Sequence, residues 1–239
     1  MLGSILIIAR NNLALTKTAV KSALGQVDQN TDDMGCTVLV IDNASSDGTT
    51  EWLRTKGKIL AIGLTEQRSL AYCWNWGLKS LWALSKEPVL VLNNDVEIHP
   101  QMYSWLRMLG MPFLTGVGVD DKSQMKPYPL YANDDTPNPH PDFSAFMIRK
   151  SVVDKVGWFN EEYYPAYAED CDYHIRMHKA GINAYSIDFP FYHESSSTMK
   201  HCSPQEKFSI EKGAEANRER FKAQYGCYPG SEEYQKLFV

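Results

Sequence analysis

The sequence predicts an α/β fold: a single doubly wound, mostly parallel sheet flanked by helices, with a C-terminal helical extension. Three observations carry that expectation. Short runs of β-branched residues and leucine, over residues 4–9, 37–41 and 88–92, alternate with segments whose apolar residues recur at helical spacing. Strands that alternate with helices pair in parallel. The runs lack in–out alternation, as strands covered on both faces do. Finally, the three runs end in polar clusters: Arg10-Asn11-Asn12, Asp42-Asn43 and Asn93-Asn94-Asp95. A parallel sheet brings such ends to one edge, where open α/β sheets take their ligands.

Taken in order, residues 4–9 read as a buried strand and residues 13–24 as a helix, with Leu13, Val20 and Leu24 near one face. Asn11 or Asn12 is the expected cap of that helix. A second strand over 37–41 runs into Asp42-Asn43-Ala44-Ser45-Ser46-Asp47-Gly48, a segment rich in turn formers. A short helix over 49–55 and a strand over 58–64 follow. Residues 70–84 read as a helix in which Trp74, Leu78, Leu81 and Trp82 sit at core spacing. The central strand, Val89-Leu90-Val91-Leu92, ends in Asn93-Asn94-Asp95-Val96-Glu97. Asp95, with Glu97 two residues on, can hold a divalent cation, since a hard cation takes carboxylate oxygens. The plain alternative is a polar turn.

After His99-Pro100 a helix is expected to 109, then a short strand over 115–119. Residues 120–142 form a long irregular segment with five prolines, the kind of loop that is usually functional. A strand over 143–149 and a short helix over 150–156 lead to Tyr167-Ala168-Glu169-Asp170-Cys171-Asp172-Tyr173-His174-Ile175-Arg176. Acids there suit the first turn of a helix, and Asp172 with Arg176 makes an i,i+4 pair. His174 and His178 have zinc-helix spacing but no H-E-x-x-H pattern, so they read as an ordinary helix face. A last strand over 184–187 precedes His193-Glu194-Ser195-Ser196-Ser197, and a charged helix runs from 204 to about 225.

The bulk numbers narrow the function. The chain of 239 residues is 44% hydrophobic and 22% charged, ordinary for a globular protein. A net charge of -5 argues against nucleic-acid binding. No apolar run reaches the length of a membrane span. The N-terminus lacks the basic leader of a signal peptide. The five cysteines (Cys36, Cys73, Cys171, Cys202, Cys227) form no C-x-x-C pair and read as free thiols in a reducing, cytoplasmic compartment.

Four blocks, in this order, resemble the inverting GT-A glycosyltransferases of family 2, rhamnosyltransferase-like members of bacteria and viruses above all. They are Val40-Ile41-Asp42-Asn43-Ala44-Ser45-Ser46-Asp47-Gly48-Thr49, Leu92-Asn93-Asn94-Asp95-Val96-Glu97, Phe146-Met147-Ile148-Arg149 through Gly157-Trp158-Phe159-Asn160, and Glu169-Asp170-Cys171-Asp172 on to Ala180-Gly181. The resemblance implies a GT-A domain over 1–200, with a nucleotide-binding half (1–97) and an acceptor-binding half (98–200), and a helical extension over 201–239 packed on it. It implies that Asp42 bonds the nucleotide base, that Ala9, Arg10 and Asn11 line the base and ribose pocket, and that Arg68, Asn93 and Asn94 join them. Asp95 and His193 would hold Mn²⁺ or Mg²⁺ at the diphosphate, Asp170 would be the general base, and Glu169 would support it. The implied partners are a UDP- or dTDP-sugar donor and a glycan or lipid-linked glycan acceptor, the latter requiring peripheral association with the inner membrane face. Asn93 stands where many members carry an acid, and Ser69 and Tyr72 where glycines are frequent. Two readings compete: a non-catalytic sugar-nucleotide or glycan-binding module on the same fold, and a nucleotidyltransferase. The latter would want a Gly-rich basic phosphate loop, which Arg10-Asn11-Asn12-Leu13 is not.

Overall fold

The structure is a computed structural model that describes residues 3–26, 36–84, 86–125, 141–194 and 197–238. Most of the irregular segment expected over 120–142 therefore lies outside the described residues, as do Ser195 and Ser196.

The elements follow the expected alternation. They are β1 (Ser4–Ala9), α1 (Leu13–Leu24), β2 (Thr37–Asp42), α2 (Thr49–Arg54), β3 (Leu60–Gly63), α3 (Leu70–Ala83), β4 (Val89–Asn93), β5 (Val96–Glu97), α4 (Met102–Leu109) and β6 (Phe113–Val119). Then come β7 (Ala145–Ile148), α5 (Lys150–Val156), α6 (Glu169–Lys179), β8 (Tyr185–His193), α7 (Ser197–His201), α8 (Pro204–Tyr225) and α9 (Glu232–Gln235). The strands form one sheet of order β3-β2-β1-β4-β7-β6-β8-β5. Strands β1 to β4 pair in parallel, whereas β7 runs antiparallel between β4 and β6, so the sheet is mixed.

The unbroken apolar strands are explained by cover on both faces. On β1, Ile5 and Ile7 pack with Val20, Ala23, Met102 and Leu106, while Leu6 and Ile8 pack with Ala71, Trp74 and Leu78. Side chains two apart share a face, so one strand feeds both layers. The register pairs Ala9 with Asp42 and Ile8 with Asn93. The polar segments after β1, β2 and β4 thus emerge level with one another.

The backbone of those segments is satisfied by side chains, and here the structure corrects an expectation. Neither Asn11 nor Asn12 caps α1 through its side chain. Both adopt left-handed backbone, with φ of 55° and 56°, a region Asn tolerates better than most residues. The cap comes instead from Asp47, whose Oδ2 accepts from the Leu13 N–H at 2.8 Å. In return, Asn11 Oδ1 accepts from the Ser46 N–H at 2.8 Å, and the Asn11 N–H donates to Ser45 Oγ at 2.7 Å. The Arg10 guanidinium adds bonds to the Asn43 and Ala44 carbonyls at 2.8 and 2.9 Å.

The C-terminal helices pack on α6. Buried Asp172 accepts from Tyr225 Oη at 2.7 Å and pairs with Arg176 as the i,i+4 spacing predicts, at 2.8 Å. His174 Nδ1 lies 2.9 Å from Tyr234 Oη, and its ring stacks on Phe238 at 4.1 Å. His178 meets the edge of the same Phe238. The histidine pair thus anchors the tail. The five cysteines are all free. No helix of the described residues is long and apolar enough to cross a membrane.

One close approach tests the packing of α3 on the sheet. A Cβ on Gly77 would sit 2.4 Å from Leu6 Cδ1. Overpacking of this kind costs about 1–3 kcal/mol. Gly77→Ala is therefore expected to lower the midpoint of urea unfolding without changing its slope, and an unchanged midpoint would show that helix and strand separate freely there.

Candidate active site

A cleft enclosing about 700 Å³, its open mouth included, lies at the carboxyl ends of β1, β2 and β4. Its floor is Ile8, Arg10, Asn43, Asn93, Asn94 and Asp95. Its other wall is the segment Pro165, Ala166 and Tyr167, with Ile210 of α8 beside it. A smaller side chamber continues from it, lined by Asn11, Tyr164, Cys202 and Glu206 among others.

The expected residues take different places. Arg10, Asn93, Asn94 and Asp95 line the cleft, and Asn11 lines the chamber. Ala9 is fully enclosed and faces the core. Asp42 lies outside the cleft lining. It is fully buried, its Oδ1 accepts from the Ser45 N–H at 3.1 Å, and its Oδ2 accepts from Thr50 Oγ1. A carboxylate engaged in this way shapes its own loop, and each oxygen keeps a second lone pair. Arg68 pairs with Glu66 and leans over the Tyr72 ring, so the cleft is lined by its neighbour Gln67 instead. Buried Asn94 uses its amide to bond the Asn11 carbonyl and Thr16 Oγ1, both at 2.9 Å.

Asn43 was quoted in the sequence only as part of a turn, yet it organises one wall. Its Oδ1 accepts from the Arg68 N–H at 2.8 Å and its amide donates back to the Arg68 carbonyl at 2.9 Å. Ile210 had no local signal at all, since only the folded chain brings α8 to the cleft.

Two groups of side chains stand beside the cleft; of them only Asp95 lines it, and His193, Glu169 and Asp170 lie outside its lining. The first is Asp95 and His193. Ser197 Oγ donates to Asp95 Oδ2 at 2.7 Å, leaving Asp95 Oδ1 3.6 Å from His193 Nε2. Burial works against a charged His193, but the bond to Asp95 and its negative charge prevail and its pKa is raised. Among the described residues no three His, Cys, Asp or Glu side chains form a metal cage. Glu97, expected near the cation, pairs with Lys122 instead. A carboxylate oxygen and an imidazole nitrogen this close nevertheless fit a divalent ion completed by phosphate oxygens and water.

The second group is Glu169 and Asp170 at the start of α6. Glu169 is 4% exposed and its Oε2 has no hydrogen-bond partner among the described residues. Burial, then the neighbouring Asp170, pushes its pKa well above the usual carboxylate range. Asp170 is only half-buried by its surface, but protein atoms surround its carboxyl and raise its pKa as well. Its Oδ1 accepts from the Cys171 N–H at 2.7 Å, which partly offsets that rise. Asp142 acts electrostatically on both Asp170 and His193 and raises the pKa of each.

The segment entering α6 is strained. Tyr167 and Ala168 have φ of 79° and 75°, which costs about 1–2 kcal/mol per non-glycine residue. Asn217 of α8 holds the segment by donating to the Tyr164 and Ala166 carbonyls at 3.2 and 2.8 Å. A second hold is the Leu70 N–H, which donates to the Pro165 carbonyl at 2.9 Å.

The raised pKa of Glu169 has a stability consequence. Between the ordinary carboxyl pKa and the raised one, the unfolded chain has released a proton that the folded chain keeps, so stability falls as pH rises. Glu169→Gln is expected to melt higher than the parent at pH 7, with the difference closing at about pH 4, where both states are protonated. A melting difference independent of pH would show that Glu169 is not held protonated.

Residues 4–109 match the family described as Glycosyl transferase family 2. A stretch of 47 residues is 47% identical to a galactofuranosyl glycosyltransferase of Leishmania donovani, and covers 19% of this chain and 11% of that protein. Among solved structures, the mannosyltransferase PcManGT from Pyrobaculum calidifontis, in complex with GDP-Man and Mn²⁺, is similar over 98% of this chain and 82% of its own, with a TM-score of 0.61 and 14% identity. S. aureus TarS 1-349 in complex with UDP-GlcNAc is similar over 98% of this chain and 70% of its own, with a TM-score of 0.60 and 16% identity. At such identities the structural likeness speaks to the fold alone, a GT-A-like one. The motif-bearing strands β1, β2 and β4 all lie inside the matched region, which spans less than half of the chain.

Proposed function

We propose that the protein is an inverting, metal-dependent glycosyltransferase that moves a sugar from a nucleotide-diphosphate donor, a UDP- or dTDP-sugar, to a hydroxyl of a glycan acceptor. The observation that carries this is an acid–imidazole couple at the cleft (Asp95, which lines it, with His193) together with a buried acid pair (Glu169 with Asp170) that directly follows the wall segment ending at Tyr167. Either group alone has an ordinary structural use. Together they supply what an inverting transfer needs at its two ends.

In this reading the donor's diphosphate binds beside Asp95 and His193, and its nucleoside along Arg10, Asn43 and Asn93, which line the cleft. Asp95 and His193 would hold a Mn²⁺ or Mg²⁺, which would supply positive charge against the charge that grows on the leaving diphosphate. The acceptor hydroxyl approaches from the side of Asp170. Asp170 takes its proton as the acceptor oxygen bonds to the anomeric carbon. The bond from that carbon to the diphosphate oxygen breaks, and its electron pair leaves with the nucleoside diphosphate. A single displacement inverts the anomeric centre. Holding the two substrates in line supplies much of the rate.

The chemistry assigns Glu169 a different task from Asp170. A carboxyl kept protonated can donate a hydrogen bond as well as accept one, and Glu169 supports Asp170 from beside it. The rhamnosyltransferase-like specificity suggested by the sequence belongs to this reading as one donor among several.

Asp170→Asn removes the proton acceptor but keeps the shape of the side chain. It is expected to lower turnover at least 10²-fold, the usual worth of a positioned general base, with nucleoside-diphosphate binding retained. Near-normal turnover would end the assignment of Asp170. Because burial raises the pKa of Asp170, transfer is expected to fall on the acid side at a pH above that of an exposed aspartate, as protonation removes the base. A kcat profile flat down to about pH 4 would contradict this.

The donor site is tested by heat. UDP, dTDP or GDP with Mn²⁺ should raise the melting temperature by mass action, and Asp95→Ala should abolish the Mn²⁺-dependent part of the shift. A shift in the parent protein without any transfer, across a panel of acceptors, would favour the non-catalytic module. A shift with GDP alone would leave the donor site standing and move the donor to the GDP-sugars.

A further inference from the structure

Tyr167 has no role in the mechanism above, yet the fold goes to some length to present it. Its side chain is 46% exposed and it lines the cleft with Asp95 and Asn93. Its backbone and that of Ala168 are both left-handed, at φ of 79° and 75°. Such conformations persist only where the surroundings over-determine them, and they cluster at functional sites. Here the surroundings do so from three directions. Asn217, itself 3% exposed, bonds the carbonyls of Tyr164 and Ala166. The start of α3 bonds Pro165. On α8, Gly213 leaves no room for a side chain, since a Cβ there would sit 2.4 Å from Pro165 Cδ.

The ring also has a definite electrostatic position. Besides burial, Glu169, Cys202 and Asp95 act on its hydroxyl to raise its pKa. One of those acids belongs to the acceptor end of the cleft and one to the diphosphate end. The space between them is where the transferred sugar must lie in an in-line displacement. The face of an aromatic ring is negative and its body apolar, so it repels phosphate oxygens but suits the C–H face of a sugar ring. Tyrosine supplies such contact with little rotamer entropy to lose.

We propose that Tyr167 is a specificity-determining residue for the transferred sugar: its ring, delivered by the segment that Asn217 locks, packs on the sugar ring of the bound nucleotide-sugar. This rests on the glycosyltransferase reading. The reading fails separately if no nucleoside diphosphate binds the parent protein.

The experiment compares each nucleotide with its sugar conjugate by calorimetry in the presence of Mn²⁺: UDP with UDP-GlcNAc and UDP-galactofuranose, dTDP with dTDP-rhamnose, and GDP with GDP-mannose. For a pair that binds the parent, Tyr167→Ala is expected to weaken the conjugate about tenfold relative to the bare nucleotide, a change of 1.4 kcal/mol. Tyr167→Phe, which keeps the ring, should stay within about threefold of the parent ratio, roughly half of that change. An unchanged ratio in Tyr167→Ala overturns the proposal. So does an equal loss in Tyr167→Phe, which would give the contact to the hydroxyl rather than the ring. If Tyr167→Ala also loses the bare nucleotide, Tyr167→Leu decides. It restores bulk without aromaticity, and a parent-like ratio in that variant again overturns the proposal. Failure of every pair to bind the parent protein removes the glycosyltransferase reading and the proposal with it.

Discussion

The site depends on a constraint at the open end of a parallel sheet. Where β1, β2 and β4 stop, their ladders stop, and the backbone N–H and C=O groups beyond need other partners. In this protein the loops supply each other. Arg10 bonds the carbonyls after β2, Asn11 exchanges bonds with Ser45 and Ser46, and Asp47 caps the helix that follows β1. Asn94 closes the set by joining the end of β4 to Asn11 and Thr16. Every distance in the cleft floor rests on this mutual satisfaction. Loss of one partner leaves a polar group buried without a bond, at a cost of about 1–3 kcal/mol.

That constraint also explains what could be read in advance. The strands, most helices and the edge carrying the site were legible because apolar runs and their polar ends follow simple periodicity. The roles within the polar blocks were less legible, because the same residue types build loops and bind ligands. Asp42 and Asn94 stand in the expected blocks but spend their side chains on the loops. Asp95 and Arg10 stand beside them and face the cleft. Only the folded position of each side chain separates the two uses. The mixed character of the sheet was hidden for another reason: a four-residue buried strand such as β7 carries no sign of its direction. Ile210 and Asn217 were invisible, since their importance comes from contacts more than forty residues away in sequence.

The acid pair at α6 illustrates a different balance. Placing two carboxyls together at a buried helix start is unfavourable once either is charged. The helix dipole and the Cys171 N–H relieve part of this. The remainder is carried by packing around α6: Asp172 holding Arg176 and Tyr225, and His174 meeting Tyr234. These contacts lie elsewhere on α6, so the buried Oε2 of Glu169 can stay without a partner among the described residues.

The C-terminal helices therefore have a role in time as well as in space. Asn217, Tyr225 and Tyr234 reach back to segments made well before them. During synthesis the sheet edge and the acid pair leave the ribosome first, with the wall of the cleft still unsupported. The cleft takes its final form only after these last helices have emerged and docked, so a nascent chain stalled short of α8 would carry the motifs of the family without the pocket that joins them.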